Sequence, residues 1–216
     1  MFPILLDLSR IRVALVGNGE AALRRLRLLD EDEARNLAVY SNDPLPALAA
    51  AAGPRLRRSL PSAAELAGVH IVFAADLDDA TLAQLAATAQ VVGTLVHIED
   101  KPQLATVHAP AQIRRGDLLL TVSTNGRSPG LARRLKRFLE GLFGVEWQDR
   151  LDELATLRDG WREAGAGPTE VAHWTESWID RHNWLEESER DDRRIATGIA
   201  GGPSGFETVL PLRSVS

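Results

Sequence analysis

A glycine-rich turn near the start of the chain constrains the fold more than any other feature. The apolar run Val13–Val16 ends in the pattern G-x-G-x-x-A, formed by Gly17, Gly19 and Ala22, and an apolar helical pattern follows. This order predicts a strand, a tight turn and a helix. Gly17 permits the turn, Gly19 lets a phosphate approach the backbone, and Ala22 lets the helix pack close to the strand. We therefore predict a dinucleotide-binding turn; the alternative is a glycine-rich turn that binds nothing.

The first half of the chain alternates between strand-like and helix-like segments. We predict strands at 11–16, 37–40, 55–60, 70–74 and 91–98, and helices at 20–30, 44–52, 63–67 and 80–88. This alternation predicts an α/β fold, a Rossmann-type parallel sheet with helices on both faces. Ligands of such sheets bind beyond the carboxyl ends of the strands. The residues at those ends are Gly17–Ala21, Ser41–Asp43, Ala75–Asp76 and His97–Asp100.

The pattern changes after residue 110. A strand at 118–123 leads through a polar turn into a helix at Pro129–Leu142, whose apolar stripe should be buried against something. The last third is helical and contains all five tryptophans, for which core packing is the default interpretation. We therefore expect a Rossmann domain at 1–109, a dimerisation region at 110–145, a small helical domain at 146–195 and a flexible tail at 196–216.

Composition excludes several classes of protein. The chain contains no cysteine, which excludes disulfides and thiolate metal sites. No apolar run approaches the roughly 20 residues that span a bilayer, and no charged leader precedes the first apolar segment. We therefore expect a cytoplasmic protein that does not bind membranes.

Charge is distributed unevenly along the chain. The net charge is −5, yet residues 111–139 hold seven basic residues and one acid, whereas residues 140–192 hold 15 acids and five arginines. A local basic patch on an acidic protein favours a small polyanionic ligand over nucleic acid, which would require a broader basic surface. The alternative is a solvated helix face. The basic residues are Arg114, Arg115, Arg127, Arg133, Arg134, Lys136 and Arg137.

Several stretches together resemble one known family. Residues 98–106 contain an Asp-x-Pro segment at Asp100, a proline follows at Pro110, and residues 120–129 form a serine-containing turn that ends in Ser-Pro before an Ala-Arg helix. With the Phe2–Ile4 lead-in and Arg24–Arg25, these residues resemble the precorrin-2 dehydrogenase/sirohydrochlorin ferrochelatase family. That family also supplies the amino-terminal module of siroheme synthase. The resemblance covers residues 1–145 well, whereas the remainder resembles the family only in being helical.

The resemblance implies an intertwined homodimer that uses NAD as cofactor to oxidise precorrin-2 to sirohydrochlorin. In many members it also implies insertion of Fe²⁺, a substrate, to give siroheme. Asp100 matches the catalytic aspartate of the family. The candidate cofactor-binding residues are Gly17, Asn18, Gly19, Glu20, Ala21, Asn42, Asp43 and Ala75, and the candidate substrate-binding residues are Ser123, Thr124, Asn125, Gly126 and Arg127.

The chemistry of these residue types agrees with that implication. Hydride loss from a macrocycle releases a proton that a carboxylate such as Asp100 can accept, in a cationic setting that includes His97 and Lys101. The alternative for Asp100 is a turn-forming aspartate. His97 and His108 lack metal-ligand spacing, so we predict no bound metal and a hydrogen-bonding or turn role. Asp43 favours NAD over NADP because an acid near the second strand repels a 2′-phosphate.

Two other functions remain open at this stage. One is a dehydrogenase that leaves metal insertion to a separate enzyme. The other is a regulatory module that senses a dinucleotide and signals through its helical part, in which case Asp100 would carry no chemistry.

Overall fold

The computed structural model describes residues 2–185, which form two compact units. The first unit ends at Pro110 and the second begins at Ala111. The predicted tail at 196–216, and the end of the predicted helical domain, lie outside the described residues.

A parallel sheet forms the centre of the first unit. Its strands are β1 (Arg12–Gly17), β2 (Asn36–Tyr40), β3 (Leu56–Arg57), β4 (Ile71–Ala75) and β5 (Leu95–Ile98). They lie in the order β3-β2-β1-β4-β5 and all pair in parallel. From β1 the chain adds β2 and β3 on one side of the sheet, and then β4 and β5 on the other side. The direction of growth therefore reverses between β1 and β4, and ligands of such sheets bind at this switch point.

Helices cover both faces of this sheet. They are α1 (Glu20–Glu31), α2 (Pro46–Ala52), α3 (Ala63–Leu66) and α4 (Asp79–Val92). Neighbouring residues of β1 belong to different cores, because successive side chains of a strand point to opposite faces. Leu15 packs with Leu26 and Leu48 on one side, and Val16 packs with Leu66 and Leu85 on the other. The predicted α/β class with a Rossmann-type sheet is confirmed.

Two predicted strands differ from the structure. Val91 and Val92 end α4, and β5 begins only at Leu95, because Gly93 caps the helix in the left-handed conformation with φ 77°. The predicted strand at 55–60 pairs only through Leu56 and Arg57. Val91 and Val92 are β-branched and so resembled a strand, but they belong to the helix that ends at Gly93. Residues 55–60 alternate as a strand does, but only two of them pair with β2.

The second unit begins with a hairpin that the sequence prediction missed in part. β6 (Ala111–Arg115) was not predicted, and it pairs antiparallel with β7 (Leu118–Val122). Helices α5 (Pro129–Leu142), α6 (Trp147–Glu163) and α7 (Pro168–Arg181) follow. Ser128 caps α5 by accepting a hydrogen bond from the Leu131 amide.

The apolar stripe of α5 is not buried among the described residues. No residue of α5 is buried, and Leu131, Leu135 and Phe138 are 50%, 38% and 44% exposed. The tryptophans are packed unequally: Trp184 is buried, whereas Trp174 is 39% exposed. Within residues 2–185, no helix is long and apolar enough to cross a membrane.

Candidate functional site

The turn between β1 and α1 is held tightly against β4. A Cβ atom on Gly17 would lie 2.3 Å from the carbonyl oxygen of Ala75 and 2.8 Å from the Cβ atom of Ala22. The missing side chain therefore lets the strand, the helix and the end of β4 meet. This contact brings Ala75, predicted from the sequence as a cofactor-binding residue, against the predicted turn.

The first amides of α1 already bind an anionic group. The backbone N–H groups of Ala21 and Ala22 donate hydrogen bonds to Oδ2 of Asp76, at 2.6 and 3.0 Å. A Cβ atom on Gly19 would lie 2.8 Å from the same oxygen. The Asp76 carboxylate therefore lies over Gly19 at the positive end of the helix, where an anion is stabilised.

Asn18 joins this turn to the loop after β2. Its Oδ1 accepts hydrogen bonds from Oγ of Ser41, at 2.7 Å, and from the amide of Asp43, at 3.3 Å. Its carbonyl oxygen accepts a third from the Leu45 amide, at 2.8 Å. The predicted nucleotide contacts Asn42 and Asp43 are thereby fixed beside the turn, and both are exposed, as is Glu20.

Asp100 lies in an exposed turn directly after β5, at the same edge of the sheet. Its φ angle is 60°, in the left-handed region that side-chain-bearing residues rarely adopt. The next residue, Lys101, forms an ion pair of 3.0 Å with Asp79 at the start of α4. A strained backbone held in place at a sheet edge is typical of functional turns.

A half-buried cluster links α1 to the Asp100 turn. Nη2 of Arg25 lies 3.3 Å from Nε2 of His97 and 3.8 Å from Oε2 of Glu99. The Arg25 guanidinium also stacks 5.4 Å above the ring of Phe73. Nδ1 of His97 lies 3.2 Å from the carbonyl oxygen of Val107. Nδ1–H donates to this carbonyl and Nε2 accepts from arginine, which is the pattern of a neutral imidazole.

The charge on His97 differs from the sequence-based expectation. Burial above all, and the positive charge of Arg25 in addition, lower the pKa of His97 from 6.5 to about 4. His97 therefore contributes no positive charge near Asp100 at neutral pH, and the cationic setting expected from it is wrong. Burial likewise lowers the pKa of Arg25, while Glu99 opposes the shift.

The predicted substrate-binding residues lie in the second unit, between β7 and α5. Asn125 and Gly126 both adopt the left-handed conformation, with φ angles of 54° and 75°, and the Arg127 amide donates to the carbonyl of Thr124 at 3.0 Å. Oγ1 of Thr124 accepts from the amide of Ser128 at 3.2 Å. The turn exposes Ser123, Asn125, Gly126 and Arg127, while Thr124 is half-buried.

Not every basic residue of this unit is available to a ligand. Nε of Arg115 donates to the carbonyls of Phe143 and Gly144, at 2.8 and 3.0 Å, and so connects β6 to the end of α5. Lys136 pairs with Glu140 at 3.6 Å on the same helix. The exposed arginines of the patch, besides Arg114, are Arg127, Arg133, Arg134 and Arg137.

One residue of this edge was missed as a site residue. The sequence places Asp76 at the end of a strand, but nothing in it indicates that the side chain binds the turn 55 residues earlier. The strand order was the missing information, because it puts β4 beside β1. Within residues 2–185, no group of three or more histidine, aspartate and glutamate side chains is placed to hold a metal ion.

Two family descriptions match the chain. Residues 4–111 match the family described as putative NAD(P)-binding, and residues 115–142 match the one described as sirohaem biosynthesis protein central. The first match covers the sheet with its turn, and the second covers most of the hairpin and α5.

Curated relatives and a solved structure are similar as well. Siroheme synthase of Pseudomonas putida is 39% identical across 64% of this chain and 30% of its own length. The siroheme synthase of Methylococcus capsulatus is 33% identical across 82% of this chain and 38% of its own length. The siroheme synthase of Tolumonas auensis is 28% identical across 99% of this chain and 50% of its own length. The chain thus spans about a third to a half of these relatives. The structure of SirC, precorrin-2 dehydrogenase, shares the fold with a TM-score of 0.66 at 22% identity, across 88% of this chain and 100% of that one.

The neutral state of His97 predicts a pH-dependent stability. As the pH falls from 6.5 towards 4, the unfolded chain binds a proton at this position and the native chain does not. The free energy of unfolding should therefore fall over this range by up to about 3 kcal/mol. Urea unfolding at pH 7 and pH 4.5 measures this fall. His97→Gln keeps a donor and an acceptor without titrating, and should show a smaller fall; an equal fall in both proteins would refute the assignment.

Proposed function

Because the chain belongs to the precorrin-2 dehydrogenase/sirohydrochlorin ferrochelatase family, which includes the amino-terminal module of siroheme synthase, we propose that it oxidises precorrin-2 to sirohydrochlorin with NAD⁺. It then takes Fe²⁺ as a substrate to give siroheme. One observation carries the proposal. The β1–α1 turn presents two aligned amides, those of Ala21 and Ala22, to an anionic oxygen above a glycine.

The turn fits a dinucleotide. Without a Cβ atom on Gly19 an anionic group can lie directly over the turn, as the Asp76 carboxylate does, and the amides of Ala21 and Ala22 would donate to a phosphate that takes its place. Asn42 and Asp43, held beside the turn by Asn18, are suited to the adenosine ribose. The negative charge of Asp43 supports NAD over NADP. When bound, the dinucleotide supplies an acceptor for hydride.

Asp100 is suited to act as the base. Loss of hydride and proton from the macrocycle requires a proton acceptor, and an exposed carboxylate at the carboxyl edge can take that role. Insertion of Fe²⁺ releases protons from the pyrrole nitrogens, so the same carboxylate can serve both steps. The clusters around Arg25 and Lys101 fix the backbone on either side of Asp100.

The second unit supplies features suited to the substrate. Tetrapyrroles of this class carry many carboxylates, and arginine binds carboxylates with two parallel hydrogen bonds. The exposed turn Ser123–Arg127 and the exposed arginines Arg133, Arg134 and Arg137 therefore support substrate binding here. We also propose a cytoplasmic location, which fractionation of the source cells would test.

A homodimer is part of the proposal. A two-stranded sheet is rarely stable alone, and α5 exposes the stripe of Leu131, Leu135 and Phe138 beside it. An exposed apolar stripe of this kind favours burial against another protein surface. A second copy of the chain, with its own hairpin and stripe, is the partner that the family resemblance implies.

An anaerobic assay of the purified chain tests the function. Addition of precorrin-2 and NAD⁺ should produce NADH absorbance, and subsequent addition of Fe²⁺ should produce the siroheme spectrum. NADH without siroheme would assign the chain to dehydrogenases that lack chelatase activity. Dinucleotide binding without either product would favour a sensor.

Substitution of the two glycines should have different effects. Gly19→Val should abolish NAD⁺ binding yet leave the fold intact, because the atoms nearest to its Cβ belong to the exposed side chain of Asp76 and not to the backbone. Gly17→Ala should instead lower the free energy of unfolding by about 1–3 kcal/mol, because its Cβ meets the Ala75 backbone. Calorimetry with NAD⁺ and urea unfolding separate the two effects. Parental NAD⁺ affinity in Gly19→Val would show that the turn is not the cofactor site.

Removing the basicity of Asp100 should slow catalysis without weakening NAD⁺ binding. Asp100→Asn keeps the shape and should lower the rate of NADH formation about 10²- to 10⁴-fold. Glu31→Gln, which removes an exposed carboxylate at the last residue of α1, serves as the control and should stay near the parental rate. If Asp100→Asn kept the parental rates of both NADH formation and iron insertion, Asp100 would be a turn residue without a catalytic role. Loss of iron insertion alone would limit it to that step.

A charge in the α5 stripe should separate the two copies. Leu135→Asp should give a monomer by light scattering at micromolar concentration, because the dimer would have to bury an unpaired carboxylate. Leu28→Asp, at a leucine of α1 with the same 38% exposure, is the matched control and should remain dimeric. A parent protein that is monomeric would overturn the proposed dimer.

A further inference from the structure

Asp76 occupies the position that the proposed function reserves for the pyrophosphate of the dinucleotide. Its Oδ2 accepts from the amides of Ala21 and Ala22, and the absent side chain of Gly19 makes room for the same oxygen. In dinucleotide-binding turns of this pattern, the helix amides and the missing glycine side chain accommodate a phosphate. In this chain the carboxylate of Asp76 occupies that position.

We propose that Asp76 is an internal competitor of the dinucleotide: its carboxylate closes the β1–α1 turn in the free protein and must leave before the pyrophosphate can bind. The inference rests on the proposed function, because it concerns the same turn. According to this inference, Asp76 helps to set the affinity for the dinucleotide although it lies outside the glycine motif.

The two anions exclude each other for two physical reasons. Each amide N–H donates one well-aligned hydrogen bond, so Ala21 and Ala22 cannot serve the carboxylate and a phosphate oxygen together at full strength. Two like charges placed within about 4 Å of one another also repel. The dinucleotide therefore has to replace the carboxylate rather than join it.

The position of Asp76 allows it to leave. It directly follows β4, it is exposed, and it lies outside both cores of the sheet. Its φ angle is 55°, a left-handed conformation that side-chain-bearing residues rarely adopt. The hydrogen bonds to the turn offset this unfavourable backbone, and a rotation of the side chain or a relaxation of the backbone would release it.

Only molecules in which the turn is open can bind the dinucleotide. The apparent affinity for the dinucleotide is therefore the affinity of the open turn multiplied by the fraction of open molecules. Minor states of this kind are commonly populated at 0.1–10%. Removal of the competing charge should therefore tighten binding by at least about tenfold.

Calorimetry at fixed ionic strength on the full chain tests the inference, with two probes, NAD⁺ and inorganic pyrophosphate. Asp76→Asn keeps an oxygen acceptor but removes the charge, and Asp76→Ala removes both. Both variants should bind each probe at least about tenfold more tightly than the parent. Asp78→Asn is the matched control: it removes one charge two residues away, keeps the cap of α4, and should leave both affinities unchanged.

The amide signals of Ala21 and Ala22 give a second, ligand-independent measurement. In ¹⁵N spectra of the free protein they should shift strongly in Asp76→Ala and little in Asp78→Asn. Unchanged Ala21 and Ala22 signals in Asp76→Ala would overturn the inference, as would unchanged affinity for both probes. Weaker binding in Asp76→Asn would also overturn it, because Asp76 would then be a dinucleotide contact.

The outcome separates this inference from the proposed function. Tighter pyrophosphate binding in the Asp76 variants, with no NAD⁺ binding in any protein, would support the competitor and refute the dinucleotide site. NAD⁺ and pyrophosphate affinities that are equal in parent and variants would support the dinucleotide site and overturn the competitor. Circular dichroism and thermal unfolding confirm that each variant is folded before it is titrated.

Discussion

The absence of a side chain at Gly17 is the constraint on which the first unit depends. A Cβ atom there would lie 2.3 Å from a backbone oxygen of β4, a distance that real Cβ atoms do not show. Strand β1, helix α1 and the end of β4 can converge only because this position is glycine. Their convergence puts Ala75 and Asp76 beside the helix amides and thereby creates the anion-binding edge of the sheet.

Charges along this edge are largely satisfied by partners within the first unit. Asp76 binds the start of α1, Lys101 pairs with Asp79, and Arg25 lies between His97, Glu99 and the ring of Phe73. Such pairing holds the turns in place without a ligand, since buried or half-buried charges are costly unless they are paired. A ligand that enters this edge has to exchange partners with the protein, as the Asp76 contact illustrates.

The two units differ in how complete they are. The first has a sheet covered on both faces by helices and two buried cores. The second exposes Leu131, Leu135 and Phe138 on α5 beside a two-stranded sheet. A helix with so strong an apolar stripe and no buried residue is typical of a surface that a partner covers. The proposed dimer would account for this difference.

The sequence alone determined the alternation of strands and helices, the position of the glycine turn and the bounds of α5, because these depend on local periodicity and on residues such as Gly17 and Pro129. It misplaced the start of β5, since Val91 and Val92 suit a strand until Gly93 is seen to cap α4. It also missed β6, whose strand character depends on pairing with β7. Tertiary structure alone decided that His97 is neutral between Arg25 and Val107, and that Asp76 lies on the amides of α1. Both facts require strands and helices far apart in the chain to be neighbours, and burial and hydrogen bonding across such contacts are not encoded in any local pattern.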